Sequence, residues 1–362
     1  MIKKFLAVFL AFAMLLAFAG CTGTGNTDTP TAGNTDHIRE IKTKVAVADI
    51  PMAMALEKLK SDRSYAYEVT TYNSAQEAAE LIKNSSADVA ALPLDVAAKL
   101  FNETNGGVKI LSVIDLSNLQ VVTSMGSLNS PEALKGKTVF ATGKGTVYEH
   151  IINHVLSENG IDPEKDVDIQ YSDDPAALVK QAIADKKGNF ILPEPYATQI
   201  VAGTLVEQPA NPTTQTATEA DILSEDSETT TAKKTSTTSI FGKKIDFARE
   251  FGKLNNSPLV YGCVVARTEY INANPDIISE FMTFCEVSVN FIGGNIEQAT
   301  IFFTSNGYFD TDLACYNSII SSNLTFLDGE ALKTGVSKAL EILYAADPTP
   351  IGGALPDESF YY

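Results

Sequence analysis

The sequence predicts an α/β protein of two lobes, each a mostly parallel sheet flanked by helices. Three observations carry this. From Lys44 onward, short apolar runs of strand character alternate with segments of helical spacing, a rhythm that calls for a largely parallel sheet covered on both faces. The same plan occurs twice, once before Asp115 and again after Asn118. About 320 residues follow the N-terminal segment, more than one hydrophobic core usually serves.

The elements begin with a targeting segment. Lys3 and Lys4 form a basic start, and Phe5 to Ala19 is an uncharged apolar run. That run is too short to cross a bilayer comfortably and suits the apolar region of a signal peptide. It closes on Phe18-Ala19-Gly20-Cys21, which resembles the bacterial lipobox, with Phe18 in place of the usual leucine. Residues 1–20 are therefore expected to be a signal peptide and Cys21 the lipidated residue. Thr22 to Asp36 is rich in Thr, Gly, Asn and Pro and cannot bury a core, so residues 21–40 read as a lipidated cysteine and a flexible tether. The expected location is the extracytoplasmic face of the cell membrane, with the lipid anchor as the sole membrane attachment. Elsewhere no run has the apolar length of a transmembrane helix. The formal net charge of −18 opposes contact with nucleic acid or anionic headgroups.

In the first lobe, Val45 to Ala48 reads as a buried strand and Pro51 as the start of a helix that continues from Met52 to Lys60. Tyr67 to Thr71 alternates as a strand. Ser74 can cap a helix over Ala75–Lys83, with Glu77 at capping-box spacing. Ala87–Leu92 is a strand, Leu94–Asn102 a helix and Val108–Ile114 a strand, and Asp115–Asn118 is a hinge. The second lobe has strands at Gln120–Ser124, Thr138–Ala141, Val167–Tyr171 and Asn189–Leu192. Its helices start at Ser130-Pro131-Glu132, at Val147 and at Asp174. Pro209 to Ser239 is a low-complexity insertion of Thr, Ser, Glu and Ala, tolerated because closure entropy grows only with the logarithm of loop length. Leu259–Ala266 is a returning strand, and Asn274-Pro275 precedes a long helix over Asp276–Ile292, with two or three helices after it. Cys263, Cys285 and Cys315 are odd in number and lack CxxC or histidine spacing, so they read as buried thiols; no metal site and no cofactor are expected.

Five runs carry a family resemblance: ADVAALPLDVAAK (Ala87–Lys99), LKGKTVFATGKGT (Leu134–Thr146), ILPEPYAT (Ile191–Thr198), VVARTEYINANPDIISEF (Val264–Phe281) and the closing IGGALPDESFYY. In order and spacing they resemble the periplasmic-binding-protein type II family of ABC-transporter solute-binding lipoproteins, in its nitrate/sulfonate/taurine and thiamine-precursor branch. The resemblance implies a ligand cleft between two lobes joined by two hinge strands, closure on binding, and an ABC permease and ATPase as partners of a monomer. It implies that residues 41–116 and 258–362 form lobe I and residues 117–257 lobe II, with the insertion at 209–239.

In open α/β sheets ligands bind beyond the carboxyl ends of the strands, so the strand-end loops supply the candidate residues. In lobe I these loops are Asp49–Met52, Tyr72–Ser74 and Leu92–Leu94, with Pro51, Met52, Ser74, Leu92 and Pro93 singled out, because helix starts there offer free backbone N–H groups. Ser74 can instead serve only as a cap. In lobe II they are Gly145, Thr146 and Val147, where glycines let the backbone approach a ligand, and Glu194 and Tyr196, where Pro193 and Pro195 hold the carboxylate in a fixed direction. Lys144 can add charge or stay solvated. No arginine lies in these loops, so a neutral or cationic heterocycle competes with sulfonate or nitrate.

An enzyme on the same fold, of pyrimidine-synthase or menaquinone-route dehydratase type, is the alternative. Only His37, His150 and His154 could serve it; the latter two stand at i, i+4 without a carboxylate or cysteine cluster, and no GxSxG turn is present. A binding protein, not an enzyme, is the expectation.

Overall fold

The computed structural model describes residues 42–205 and 240–362, except 73, 125 and 127. The expected signal peptide, Cys21, the tether, His37 and the 209–239 insertion lie outside the described residues.

Two sheets organise the chain. The first has the order β11-β4-β10-β3-β1-β2, formed by β1 (Thr43–Val47), β2 (Tyr67–Thr71), β3 (Val89–Pro93), β4 (Val108–Asp115), β10 (Gly262–Arg267) and β11 (Leu324–Leu327). The second has the order β7-β6-β8-β5-β9, formed by β5 (Gln120–Thr123), β6 (Thr138–Thr142), β7 (Asp168–Ser172), β8 (Asn189–Leu192) and β9 (Gly242–Asp246). Within each sheet most strands run one way. The strand entering from the other lobe, β10 in the first sheet and β5 in the second, is inserted antiparallel between its neighbours.

The helices are α1 (Ile50–Asp62), α2 (Ala75–Lys83), α3 (Leu94–Glu103), α4 (Val147–Glu158), α5 (Pro175–Asp185) and α6 (Tyr196–Ala202). After them come α7 (Phe247–Asn255), α8 (Thr268–Ala273), α9 (Pro275–Gly294), α10 (Ile296–Ser305), α11 (Asp312–Ile319) and α12 (Gly329–Ala346). Their starts follow local chemistry. Asp49 accepts from Met52 N at 3.0 Å, Ser74 from Glu77 N at 3.2 Å and Asp174 from Ala177 N at 3.1 Å, each satisfying an amide that the helix itself leaves free. Ser130-Pro131-Glu132 opens only a 3₁₀ turn, Pro131–Leu134.

Burial on both faces explains the near-continuous apolar strands. In β8, Ile191 faces the core that runs through lobe I, whereas Phe190 and Leu192 face a separate cluster with Val122, Val179 and Phe241. Helix α1 is buried from Pro51 to Glu57 because it lies between the first sheet and α9, whose Ser288 hydroxyl donates to Ala55 O at 2.6 Å.

One strand reading changes, and two strands and a helix are added. Leu259–Tyr261 is not strand but the return crossing: Tyr261 N donates to Asp115 O at 3.0 Å, Tyr261 O accepts from Leu94 N at 2.7 Å, and ladder pairing starts at Gly262. Strand β9 escaped the pattern because Lys243 and Lys244 interrupt its apolar alternation, and half-buried β11 because it only edges the sheet. Helix α6, only seven residues long, follows the Pro193-Glu194-Pro195 turn directly.

The chain crosses between lobes at Leu116–Leu119 and at Asn256–Tyr261. At the second crossing a Cβ on Gly262 would stand 2.9 Å from Asp115 Cβ and 2.9 Å from Met52 Sδ. Gly262→Ala is therefore expected to destabilise the fold by about 1–3 kcal/mol, as overpacking does. Thermal unfolding checks this, and a melting temperature equal to the parent's would show that the crossing has spare room.

Candidate functional site

A cavity of about 420 Å³ lies between the lobes. Its walls are strand ends: Ala48 and Asp49 after β1, Tyr72 after β2, Pro93 at the end of β3, Thr142 at the end of β6 and Pro193 after β8. Both sheets thus present their carboxyl edges to one space, as open α/β sheets do at ligand sites. Tyr261 reaches the cavity from the return crossing, and Tyr308 and Asn306 from the end of α10.

Of the residues singled out from the sequence, Pro51, Pro93, Gly145, Thr146, Val147, Glu194 and Tyr196 line this cavity. Met52, Ser74, Leu92 and Lys144 are outside its wall. Met52 turns one helical step inward and is fully buried with its sulfur towards Gly262. Leu92 points to the opposite face of β3 from Pro93 by strand alternation and is also fully buried. Ser74 caps α2, leaving Ala75 and Gln76 to face the space, and Lys144 is exposed. His150 and His154 lie on α4 outside the wall, the latter with Nε2 3.0 Å from Asn255 Nδ2 and its ring 5.3 Å from that of Phe251.

Comparison with solved structures places this arrangement. An ABC transporter protein from Parabacteroides distasonis superposes with a TM-score of 0.68 at 16% identity, over 89% of this chain and 98% of its own. The ligand-binding component of an ABC-type import system from Staphylococcus aureus gives 0.62 at 11% identity, over 88% and 96%. The alkanesulfonate-binding protein from Xanthomonas axonopodis pv. citri, bound to MOPS, gives 0.59 at 11% identity, over 87% and 94%. The chain shares the two-sheet α/β fold of these proteins. No family model matches the sequence, and no curated protein matches it.

The start of α4 at the cavity is already satisfied by the protein. Gly145 N donates to Glu149 Oε2 at 2.6 Å, Val147 N to Asp95 Oδ2 at 3.3 Å and Tyr148 N to the Thr146 hydroxyl at 3.2 Å. The Val147–Asp95 bond joins lobe II to lobe I. Thr146 also donates to Gly143 O at 2.7 Å, so its hydroxyl is engaged at both ends as a cap. Glu194 differs from the expectation of a free carboxylate facing the cleft. It is buried, pairs with Lys243 of β9 and accepts from Thr198 N at 3.2 Å. Lys243 in turn donates to the Ser321 hydroxyl of lobe I at 2.7 Å, so Glu194 belongs to a second bond between the lobes. The lysine lies about fifty residues from Glu194 in a strand that periodicity did not reveal, so no local pattern signals the pairing.

The uncompensated charge belongs instead to Asp49, in the strand-end loop after β1, and to Asp115 of the hinge. Asp49 is half-buried at the cavity, and burial pushes its carboxyl up to about 6 against the bond from Met52 N and one from the Tyr261 hydroxyl. Asp115, 1% exposed at the hinge, is pushed up to about 7 by burial and by the Asp49 charge, with Ser117 N donating to it at 2.7 Å. The Tyr148 and Tyr261 rings stack with centroids 4.7 Å apart and planes 10° from parallel. Burial and then neighbouring groups, Asp49 among them, hold both phenols well above the ordinary range.

A carboxyl that keeps its proton more tightly folded than unfolded loses stability as pH rises from the unfolded value, 3.8, to the folded one, about 7 for Asp115. Between those limits the unfolded chain has released its proton and the native one has not. The protein is therefore expected to gain stability on acidification from pH 8 towards 5, and Asp115→Asn to flatten that gain while raising stability at pH 8, by a few kcal/mol at most given about 1.4 kcal/mol per pH unit of displacement. Urea unfolding at both pH values measures it; an unaltered slope in the variant would place the linkage elsewhere.

Proposed function

We propose that this chain is the extracytoplasmic solute-binding component of an ABC importer, capturing a small organic molecule or oxyanion by closing its lobes and releasing it chemically unchanged. The observation that carries this reading is the cavity itself: it is built from strand ends of both sheets, and the lobes around it are joined by two short crossings. Such a space opens and closes by small backbone changes at two places, the geometry of hinge closure around a ligand. The names of the superposing proteins, one an import-system binding component and another an alkanesulfonate-binding protein, support the same reading. So does the wall, where the Tyr148 and Tyr261 phenols are held protonated, a recognition surface more than a reactive one.

The partners in this reading are a permease and ATPase complex in the membrane, with the binding protein a monomer tethered through lipid on Cys21. Cys21→Ala is expected to shift the protein from the membrane fraction to the medium or to leave it unprocessed. Fractionation with immunoblotting measures this, and a mature-length variant that stays with the membrane would refute the anchor.

The solute-binding reading is tested by thermal shift of the purified chain against sulfonates, nitrate, pyrimidines, flavins and amino acids. A true solute at a hundredfold excess over its Kd adds about 2.7 kcal/mol to native stability, a shift of several degrees. Mass spectrometry of the recovered compound is expected to find it intact. A converted product would point to the enzyme instead.

A further inference from the structure

We propose that the interlobe cavity selects a flat nitrogen compound carrying a positive charge or several N–H donors, and that Asp49 is the residue that sets this preference. The inference rests on the solute-binding reading and names the class of its ligand.

The first argument is what the cavity withholds from an anion. A helix start holds an oxyanion through amides that lack an internal partner. At α1 and α4 such amides are taken: Met52 N by Asp49, Gly145 N by Glu149, Val147 N by Asp95 and Tyr148 N by Thr146. Three of the four acceptors are carboxylates, so the helix dipoles are already matched by negative charge, and an incoming sulfonate or nitrate meets repulsion. Among the described residues, Lys99 is the single cationic side chain in the wall; it is exposed, with Nζ 3.9 Å from Glu103. Lys243 is spent on Glu194 and Ser321.

The second argument is what the cavity offers a cation. Asp49 accepts one bond from Met52 N and one from Tyr261, whereas an ionised carboxylate accommodates about four. Asp95, 5% exposed and bordering the same cavity, has an Oδ1 without a hydrogen-bond partner. Around these carboxylates stand the rings of Tyr72, Tyr148, Tyr196, Tyr261 and Tyr308. The Asp49 charge reaches Tyr148, Tyr196 and Tyr261, raising the pKa of each after burial has done so. Aromatic faces attract cations and stack on flat rings, and a carboxylate beside them fixes an N–H edge. Of the strand-end carboxylates, Glu194 is paired with Lys243, and Asp49, which also caps α1, keeps the free capacity.

The test titrates three probes of one shape, benzamidine, benzamide and benzoate, into the full chain by calorimetry, with benzenesulfonate and MOPS as anionic controls. The expected order of affinity is benzamidine, benzamide, benzoate. Asp49→Asn keeps a side chain able to cap α1, so the fold is retained, as its melting temperature records. The substitution is expected to weaken benzamidine by roughly 10- to 150-fold while leaving benzoate unchanged or tighter. Tighter binding of benzoate or a sulfonate than of benzamidine by the parent chain overturns the proposal and leaves the solute-binding reading standing. Benzamidine affinity that is equal in Asp49→Asn overturns the role of Asp49. Binding of no compound of either charge here or in the thermal-shift panel overturns the solute-binding reading and this inference with it.

Discussion

The two chain crossings touch each other at Asp115 and Tyr261, and much of the molecule depends on that contact. Tyr261 N donates to Asp115 O, and Tyr261 O accepts from Leu94 N, so the return crossing is stitched to the end of β4 and to the start of α3. The approach is close enough that Gly262 has no room for a side chain. Because the crossings are held side by side, the two sheets meet with their carboxyl edges facing one space. The same contact delivers the Tyr261 ring to the cavity and brings the Asp115 charge within reach of Asp49.

A cost follows from this arrangement. Two carboxyls, Asp49 and Asp115, share a poorly hydrated hinge without a lysine or arginine bonded to either among the described residues; burial raises the pKa of both, and the Asp49 charge adds to that of Asp115. Natural chains place such strain at functional sites and offset it elsewhere. Here the offset comes from a core that runs from α9 through the first sheet into the near face of the second. The lobes are also joined away from the hinge, through Asp95 to Val147 N and through Glu194–Lys243 to Ser321. Asp95, Val147 and Glu194 all line the cavity, so both links hold the lobes together at it.

Legibility in the sequence followed the range of each interaction. Helix starts were readable where a cap and its amide are close in sequence, as Ser74 and Glu77 are; Thr146, expected to face the ligand, spends its hydroxyl on the cap of α4 instead. Fully buried strands such as Asn189–Leu192 were readable because burial on both faces leaves an unbroken apolar run. Strand β9 was not, since its place at the sheet edge lets Lys243 and Lys244 interrupt the pattern. Site residues followed the same rule. Strand-end loops identified Pro51, Pro93, Gly145, Thr146, Val147, Glu194 and Tyr196 as wall. The strand period and helix turn that send Leu92 and Met52 into the core were weighed too lightly.

By itself the sequence determined the local plan: the alternation of strand and helix, its repetition on either side of Asp115–Asn118, the caps, and the loops that meet at the strand ends. Those features depend on periods of two and 3.6 residues and on contacts a few positions apart, which a linear reading can follow. The tertiary structure alone decided which charges are free. Glu194 is neutralised by a lysine 49 positions away, whereas Asp49, an ordinary helix cap in sequence, is left with spare acceptor capacity beside stacked tyrosines drawn from both lobes. Electrostatic character is set by what surrounds a group in three dimensions, and the partners here come from segments that the chain joins only by folding.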